Sequence, residues 1–271
     1  MSGDMDGIKI TTLANGARVV TDKMASVESV SLGAWLNVGT RHEVAAENGV
    51  AHLLEHMVFK GTRRRSALQI AEEIEAVGGH MNAYTAREQT AYYAKVLKED
   101  VSLGVDVISD ILVNSTFDEQ ELTRERSVII QEIGQAADTP DDIIFDYFQE
   151  AAYPEQAMGR PVLGRSEIVQ GMSRDGIMAF INENYAGDSL VFSAAGAVDH
   201  DAVVAEVERG FATLGAQTAA KTEPAAYKGG EIRVEKDLEQ LHLLLGFEGM
   251  GFHDPDFYAQ QVLSMLFGGG M

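Results

Sequence analysis

The segment His52-Leu53-Leu54-Glu55-His56 contains the residues of this chain best suited to chemistry. On a helix, residues four apart lie one turn apart, so the imidazoles of His52 and His56 would project from one face and could bind one metal ion. Glu55 would lie close to the same face, where its carboxylate could accept a proton from a water molecule that the metal activates. The order H-x-x-E-H is the inverse of the commoner order in zinc-dependent proteases. The segment therefore predicts a zinc site with two ligands and a general base.

The same residues also have a purely structural interpretation. His52 could be a core histidine with satisfied hydrogen bonds, and Glu55 and His56 could be solvated. Five residues do not decide between the two interpretations, because a zinc site also needs a third protein ligand.

Two glutamates on one face of a helix predicted at 118–137 are the candidates for that ligand. Glu125 and Glu132 are seven residues apart, about two turns, and they share their stripe with aliphatic residues of the kind found in cores. A carboxylate on an apolar face must be paired or must bind a cation. One alternative is an internal salt bridge, with Arg87 or Arg124 as the partner. The other is a site with two histidines and one glutamate, whose fourth position stays open for water.

Composition excludes several classes of function. The chain has 271 residues, of which 42 are acidic and 21 basic, and its formal net charge of −21 argues against binding to nucleic acid. It has no cysteine, so a zinc site must use histidine and carboxylate ligands. No apolar run reaches about 18 residues, so no membrane span is expected. The N-terminus resembles neither a signal peptide nor a transit peptide, which predicts a bacterial cytoplasmic location.

The elements that must position these residues alternate between strand and helix patterns. Asn15-Gly16 is a strong signal for a hairpin turn between the first two strands. Strands are predicted at 8–13, 17–21, 30–38, 80–86, 90–97 and 190–197. Helices are predicted at 47–59, 67–77, 101–112, 118–137, from Thr139 onward, at 173–184 and at 201–214.

A change of composition divides the chain near its end. Residues 215–229 are small, polar and without periodicity, which is typical of a linker. New strands are predicted after it at 231–234 and 241–247, followed by a helix at 254–267. The pattern predicts a first domain at 1–214, a linker at 215–229 and the start of a second domain at 230–271.

Four longer segments carry a resemblance to a known family. They are HLLEHMVFKGT at 52–62, GGHMNAYTAREQTAYYAKVL at 78–97, RERSVIIQEI at 124–133 and FGGGM at 267–271. Through them the chain resembles the pitrilysin-type zinc peptidases with the inverted motif, and most of all the branch of mitochondrial processing peptidase and its bacterial relatives. In that family a glutamate follows the motif after about 75 residues, and here 75 residues separate His56 from Glu132.

The resemblance implies a role for each candidate in the site. His52, His56 and Glu132 would be the zinc ligands, and Glu55 would be the general base. Glu125 corresponds to a family glutamate that supports the site, as a partner of a ligating histidine.

The resemblance also implies how substrate binds. The strand that contains Asn82 and Ala83 is similar to the family's edge strand, which pairs with an extended peptide. The fold implied is α+β: a mostly antiparallel twisted sheet with helices packed on one face, as one half of a two-domain clamp. In the family the sequence continues beyond FGGGM, so 230–271 would be the truncated start of a second homologous domain.

The function expected from the resemblance is that of a zinc endopeptidase that cleaves extended, basic or presequence-like peptides. Its partners would be the peptide and either the missing C-terminal half or other subunits of a homo- or hetero-oligomer, and the isolated fragment is expected to be nearly inactive. The alternative is a non-catalytic peptide-binding or core-type subunit of a complex. Retention of His52, Glu55, His56 and Glu132 argues against that alternative, whereas the missing half argues for it.

Overall fold

A six-stranded sheet forms the centre of the computed structural model, which describes residues 7–217, 222 and 224–269. Its strands are β1 (Ile8–Thr12), β2 (Arg18–Lys23), β3 (Ser29–Leu36), β4 (His80–Thr85), β5 (Thr90–Leu97) and β6 (Leu190–Gly196). They lie in the order β1-β2-β6-β3-β5-β4. Only the pairing of β2 with β6 is parallel. The prediction of an α+β fold with a mostly antiparallel sheet is confirmed.

The first hairpin forms where the sequence predicts it. Gly16 has a φ of +90°, which a residue with a side chain rarely adopts, and it occupies the turn between β1 and β2. The Leu13 N–H donates to the Ala17 carbonyl at 2.8 Å and closes the turn. Strand β6 then alternates between buried and half-buried residues along its length, which indicates that one face of the sheet is covered.

Helices pack against this sheet and against one another. They are α1 (Val50–Val58), α2 (Ala67–Ala76), α3 (Val101–Val113), α4 (Glu119–Asp138), α5 (Pro140–Ala152), α6 (Ser166–Gly171), α7 (Arg174–Asn184), α8 (His200–Gly210) and α9 (Phe257–Gly268). Helix α3 packs on β3 and β5, and α8 packs on β2. Helix α6 was not predicted, because its six residues bury only Val169 and show no helical repeat.

Helix α1 is held in place by its apolar side. It packs against β4, α4 and α7, and most of its residues are buried. The buried residues are Val50, Ala51, Leu53, Leu54, Met57 and Val58. The remaining positions are His52, Glu55 and His56, so the packing of this helix fixes the direction in which the three polar side chains point.

The predicted strands at 231–234 and 241–247 are wrong, because neither segment pairs with another strand in the described part of the chain. In the segment 241–247, the side chains nevertheless alternate between exposed and half-buried, as the sequence pattern suggested. Leu241, Leu243 and Leu245 are largely exposed, whereas the residues between them are half-buried. The segment lies beside Ile144, Tyr147 and Phe148 of α5. Earlier in the chain, the Lys228 N–H donates to the Ala152 carbonyl at the end of the same helix, at 2.9 Å.

The predicted division into a first domain at 1–214, a linker at 215–229 and a second domain from 230 stays a prediction. Residues 1–6, 218–221, 223 and 270–271, which include parts of the predicted linker and of FGGGM, lie outside the described residues. Among the helices that are described, none combines the length and the apolar character needed to cross a bilayer.

Candidate metal centre

The N-terminus of α1 is fixed by a buried carboxylate. Glu43, 3% exposed, accepts hydrogen bonds from Asn48 Nδ2 at 2.9 Å, from the Gly49 N–H at 3.0 Å and from the Ala51 N–H at 2.9 Å. Two of these donors are backbone groups at the start of the helix that no intrahelical carbonyl could satisfy. Burial nevertheless raises the pKa of Glu43 to about 7, although the three donors act in the opposite direction. Sequence reasoning missed this residue, since its role depends on a turn that brings 43 back to 51.

The structure brings together the three predicted ligands. Glu132 Oε2 lies 3.9 Å from His52 Nε2 and 3.8 Å from His56 Nε2. One ligand atom from each residue lies within 4.8 Å of the other two. Within the described residues, these are the groups of histidine and acidic side chains arranged closely enough to hold a metal ion.

This donor set fits zinc. Zinc binds histidine nitrogen and carboxylate oxygen at about 2.0–2.2 Å, which places neighbouring tetrahedral ligands roughly 3.4 Å apart. The distances of 3.9 and 3.8 Å are within a few tenths of an ångström of that spacing. Two histidines and one carboxylate are the donor types of a catalytic zinc site. The three residues therefore suit the ion that the motif predicts.

The protonation state of His52 suits a ligand as well. Burial, with a smaller contribution from His56, lowers the pKa of His52 to about 4. The imidazole is then neutral at pH 7, and a neutral imidazole is the form that binds a metal. His52 Nδ1 is buried and has no hydrogen-bond partner among the described residues.

His56 differs from His52 in having a partner on the nitrogen that faces away from Glu132. Its Nδ1 lies 3.0 Å from Glu125 Oε2, and the side chain of Glu125 is only 8% exposed. The other oxygen of Glu125, Oε1, lies 2.8 Å from Lys60 Nζ. Glu125 therefore joins His56 to Lys60, and its role as the support of a metal ligand stays a prediction.

The arginines considered as partners of Glu125 are engaged elsewhere. Arg87 lies 3.1 Å from Asp146 Oδ1, and Arg124 pairs with Glu121. Lys60 was not foreseen as the partner. The sequence does contain a signal for this pairing. Lys60 follows His56 by four residues, about one helical turn, so the two side chains are expected on the same side even though α1 ends at Val58.

Glu55 lies near the triad without belonging to it. Burial raises the pKa of Glu55, while hydrogen bonding by Thr85 acts in the opposite direction. Glu132 and His56 are close enough to affect the same pKa. The structure thus separates three groups that could bind a metal from one carboxylate that could serve as a base.

Strand β4 ends at Thr85 and lies at the edge of the sheet next to α1. It pairs with β5 on one side, and no strand in the described residues pairs with its other side. Asn82 Oδ1 accepts a hydrogen bond from the Ala83 N–H at 2.8 Å, so this backbone group is not bonded to β5. Asn82 and Ala83 therefore lie on a strand with a free edge.

Comparisons with known proteins agree with this geometry. The sequence pattern of Insulinase (Peptidase family M16) matches residues 18–166, and that of the Peptidase M16 inactive domain matches 171–271. A protein of Rickettsia bellii named an uncharacterized zinc protease is 42% identical over 267 residues, which cover 98% of this chain and 65% of that protein. The probable mitochondrial-processing peptidase subunit beta of Arabidopsis thaliana is 40% identical over 96% of this chain and 50% of its own length.

The fold is similar to that of solved structures too. The crystal structure of a protease from Helicobacter pylori superposes with a TM-score of 0.75 at 22% identity, covering 82% of this chain and 54% of that one. This chain thus spans about two thirds or less of the length of the relatives it matches. A family pattern that covers more than half of the chain, together with 42% identity to a zinc protease, shows that the chain belongs to the insulinase family, peptidase family M16.

Proposed function

We propose that this protein is a zinc-dependent endopeptidase. The observation that carries the proposal is the cluster of His52, His56 and Glu132, whose ligand atoms all lie within 4.8 Å of one another. The cluster occurs in a chain of the M16 family whose relatives include proteins named zinc proteases. His52, His56 and Glu132 are the proposed ligands, and Glu125 is the proposed support of His56.

The reaction needs a Lewis acid, a base and a proton donor for the leaving group. Zinc held by the triad would polarise the scissile carbonyl and bring the pKa of a water molecule to about 7. The carboxylate of Glu55 accepts the proton of the attacking water and returns it to the nitrogen of the leaving amine. Hydrogen bonding by Thr85, at the end of β4, favours the ionised form of this carboxylate, which is the form that accepts a proton.

The free edge of β4 is the proposed site for the peptide backbone. A peptide in extended form would bond to the outward backbone groups of this strand, beginning with the Ala83 N–H that Asn82 now occupies. Strand β4 ends at Thr85, which is close enough to Glu55 to affect its pKa. A peptide on this edge would therefore be led toward the base and the triad.

Removal of the metal is the direct test of the proposal. We expect a strong chelator to abolish cleavage of a fluorescence-quenched peptide, and one equivalent of zinc per chain to restore it. The assay should use the longest chain that the gene encodes, because this chain spans 65% of a related zinc protease. Cleavage that persists after complete removal of zinc would contradict the proposal. Zinc binding and peptide binding without cleavage would instead favour a non-catalytic peptide-binding subunit.

Substrate charge provides a second prediction. The net charge of −21 should attract peptides with arginine or lysine near the cleaved bond. For two peptides of equal length, one basic and one acidic, we expect the higher kcat/KM for the basic peptide. The difference should shrink between about 0.01 M and about 1 M ionic strength, over which the Debye length falls from about 30 to about 3 Å. Equal kcat/KM for the two peptides at low salt would contradict this prediction.

A second wall opposite the edge of β4 is the proposed partner of this site. Peptide hydrolysis requires the substrate to be held in extended form, and positioning of this kind contributes several kcal/mol to catalysis. The edge of β4 supplies one wall only. We therefore propose that turnover requires an opposing wall, supplied by a further domain or by another subunit.

A further inference from the structure

The ammonium group of Lys60 occupies a place in the candidate centre that the motif does not include. Its Nζ lies 2.8 Å from Glu125 Oε1, and the second oxygen of the same carboxylate lies 3.0 Å from His56 Nδ1. Lys60 is 30% exposed, and Glu125 is 8% exposed. The three side chains therefore form a row that runs from the protein surface to a predicted metal ligand.

This row gives each oxygen of a buried carboxylate one partner. A buried carboxylate that lost one of two partners would be left with an unsatisfied charge, so it would turn toward another donor or toward water. For Glu125 such a rotation would remove Oε2 from His56 Nδ1. The hydrogen bond at Nδ1 is what directs the other nitrogen, Nε2, toward Glu132.

We propose that Lys60 is a positioning residue of the metal centre. By binding Glu125 Oε1, it keeps Oε2 on His56 Nδ1, so that His56 Nε2 is presented to the metal in one orientation. The proposal rests on the zinc function proposed above and adds to it a residue two contacts away from the metal. Among the ligating histidines only His56 is oriented in this way, because His52 Nδ1 has no partner among the described residues.

Removal of Lys60 should change zinc affinity in one direction if Lys60 positions His56, and in the opposite direction if only its charge matters. Lys60 is a cation near a site that binds a cation, so by charge alone its removal should tighten zinc binding. By the positioning role its removal should weaken zinc binding, because a disturbed support of a ligating histidine lowers metal affinity. The two explanations thus predict changes in opposite directions.

The test measures the zinc dissociation constant of Lys60→Met by competition with a chelator of known affinity. We expect about a tenfold increase in Kd, at the lower end of the range for residues that support metal ligands. Lys60→Arg retains a cation within reach of Glu125 and should bind zinc nearly as tightly as the wild type. Lys98→Met is the matched control, because it removes an equivalent charge from an exposed pair with Glu28 and should leave the Kd unchanged.

Two further measurements exclude a merely structural role. The zinc-free form of Lys60→Met should keep the circular dichroism spectrum of the wild type and unfold cooperatively, although the loss of one partner of Glu125 lowers its unfolding temperature. A changed spectrum or a non-cooperative transition would show a structural defect and overturn the positioning role. In a Glu125→Gln background, Lys60→Met should cause no further increase in Kd, because the group through which Lys60 positions His56 has been replaced.

The possible outcomes separate this proposal from the proposed function. Zinc binding by Lys60→Met that equals or exceeds that of the wild type would overturn the role of Lys60 and leave the metal centre standing. An additional loss in the Glu125→Gln background would likewise overturn it, since Lys60 would then act by another route. Failure of the wild type to bind zinc would overturn the metal centre and this proposal together.

Discussion

Replacement of Glu55 by glutamine is expected to lower kcat by roughly 10²–10⁴-fold, the range that a general base contributes. The amide cannot accept the proton of the attacking water, although it occupies nearly the same volume. Glu55 is not part of the cluster formed by His52, His56 and Glu132, so the variant should retain one zinc per chain. The measurement is the zinc content of the dialysed protein together with the rate of peptide cleavage.

Glu132→Gln, which is chemically the same substitution, is the matched control. Its carboxylate oxygen lies within 4 Å of both histidines, so its loss should greatly weaken zinc binding. Substitution of His52 or His56 by alanine should have the same consequence. Loss of zinc from Glu55→Gln with retention in Glu132→Gln would show that the roles of base and ligand are reversed.

The contribution of Glu43 to the stability of the zinc-free protein is expected to fall as the pH rises from about 5 to about 7. Burial raises the pKa of Glu43 from 4.5 to about 7, so the folded state binds this proton more tightly than the unfolded state does. The contribution of the protonated group is present in full below pH 4.5 and is lost as the pH rises through 7. A pKa change of this size corresponds to about 3 kcal/mol.

The comparison that isolates this effect is with Glu43→Gln, which cannot titrate at this position. Urea unfolding of both proteins, with zinc removed, should be measured from pH 5 to pH 8. The difference in unfolding free energy, wild type minus variant, should decrease with pH and then level off. A difference that increases with pH would mean that the three hydrogen-bond donors around Glu43 outweigh the cost of burying its charge.

The elements that hold the site could be predicted because each shows a clear local pattern. Helix α4 places Leu122, Glu125 and Ile129 on one buried side, as their spacing requires, and Glu132 follows on the same stripe. The five-residue motif lies on α1 with its apolar residues buried. Local periodicity therefore sufficed to place the two helices and to select the acids that face the histidines.

Contacts between distant segments could not be predicted in the same way. Glu43 reaches the start of α1 through a turn, and Lys60 reaches Glu125 only after α1 and α4 have packed together. The strand patterns at 231–234 and 241–247 failed for a related reason. An alternating pattern predicts an extended segment, but a strand also needs a neighbour with which to pair, and local sequence does not supply one.

The location of the three candidate ligands on two helices links metal binding to folding. Helix α1 supplies two of them and α4 the third, and the chain between His56 and Glu132 includes a strand pair and helices of the domain. A complete site exists only when α1 and α4 are docked, so zinc would select the folded state over the unfolded one. At a free zinc concentration 1,000 times Kd, this selection is worth about 4 kcal/mol of unfolding free energy. In that setting the ion would act as a reversible cross-link between the two helices.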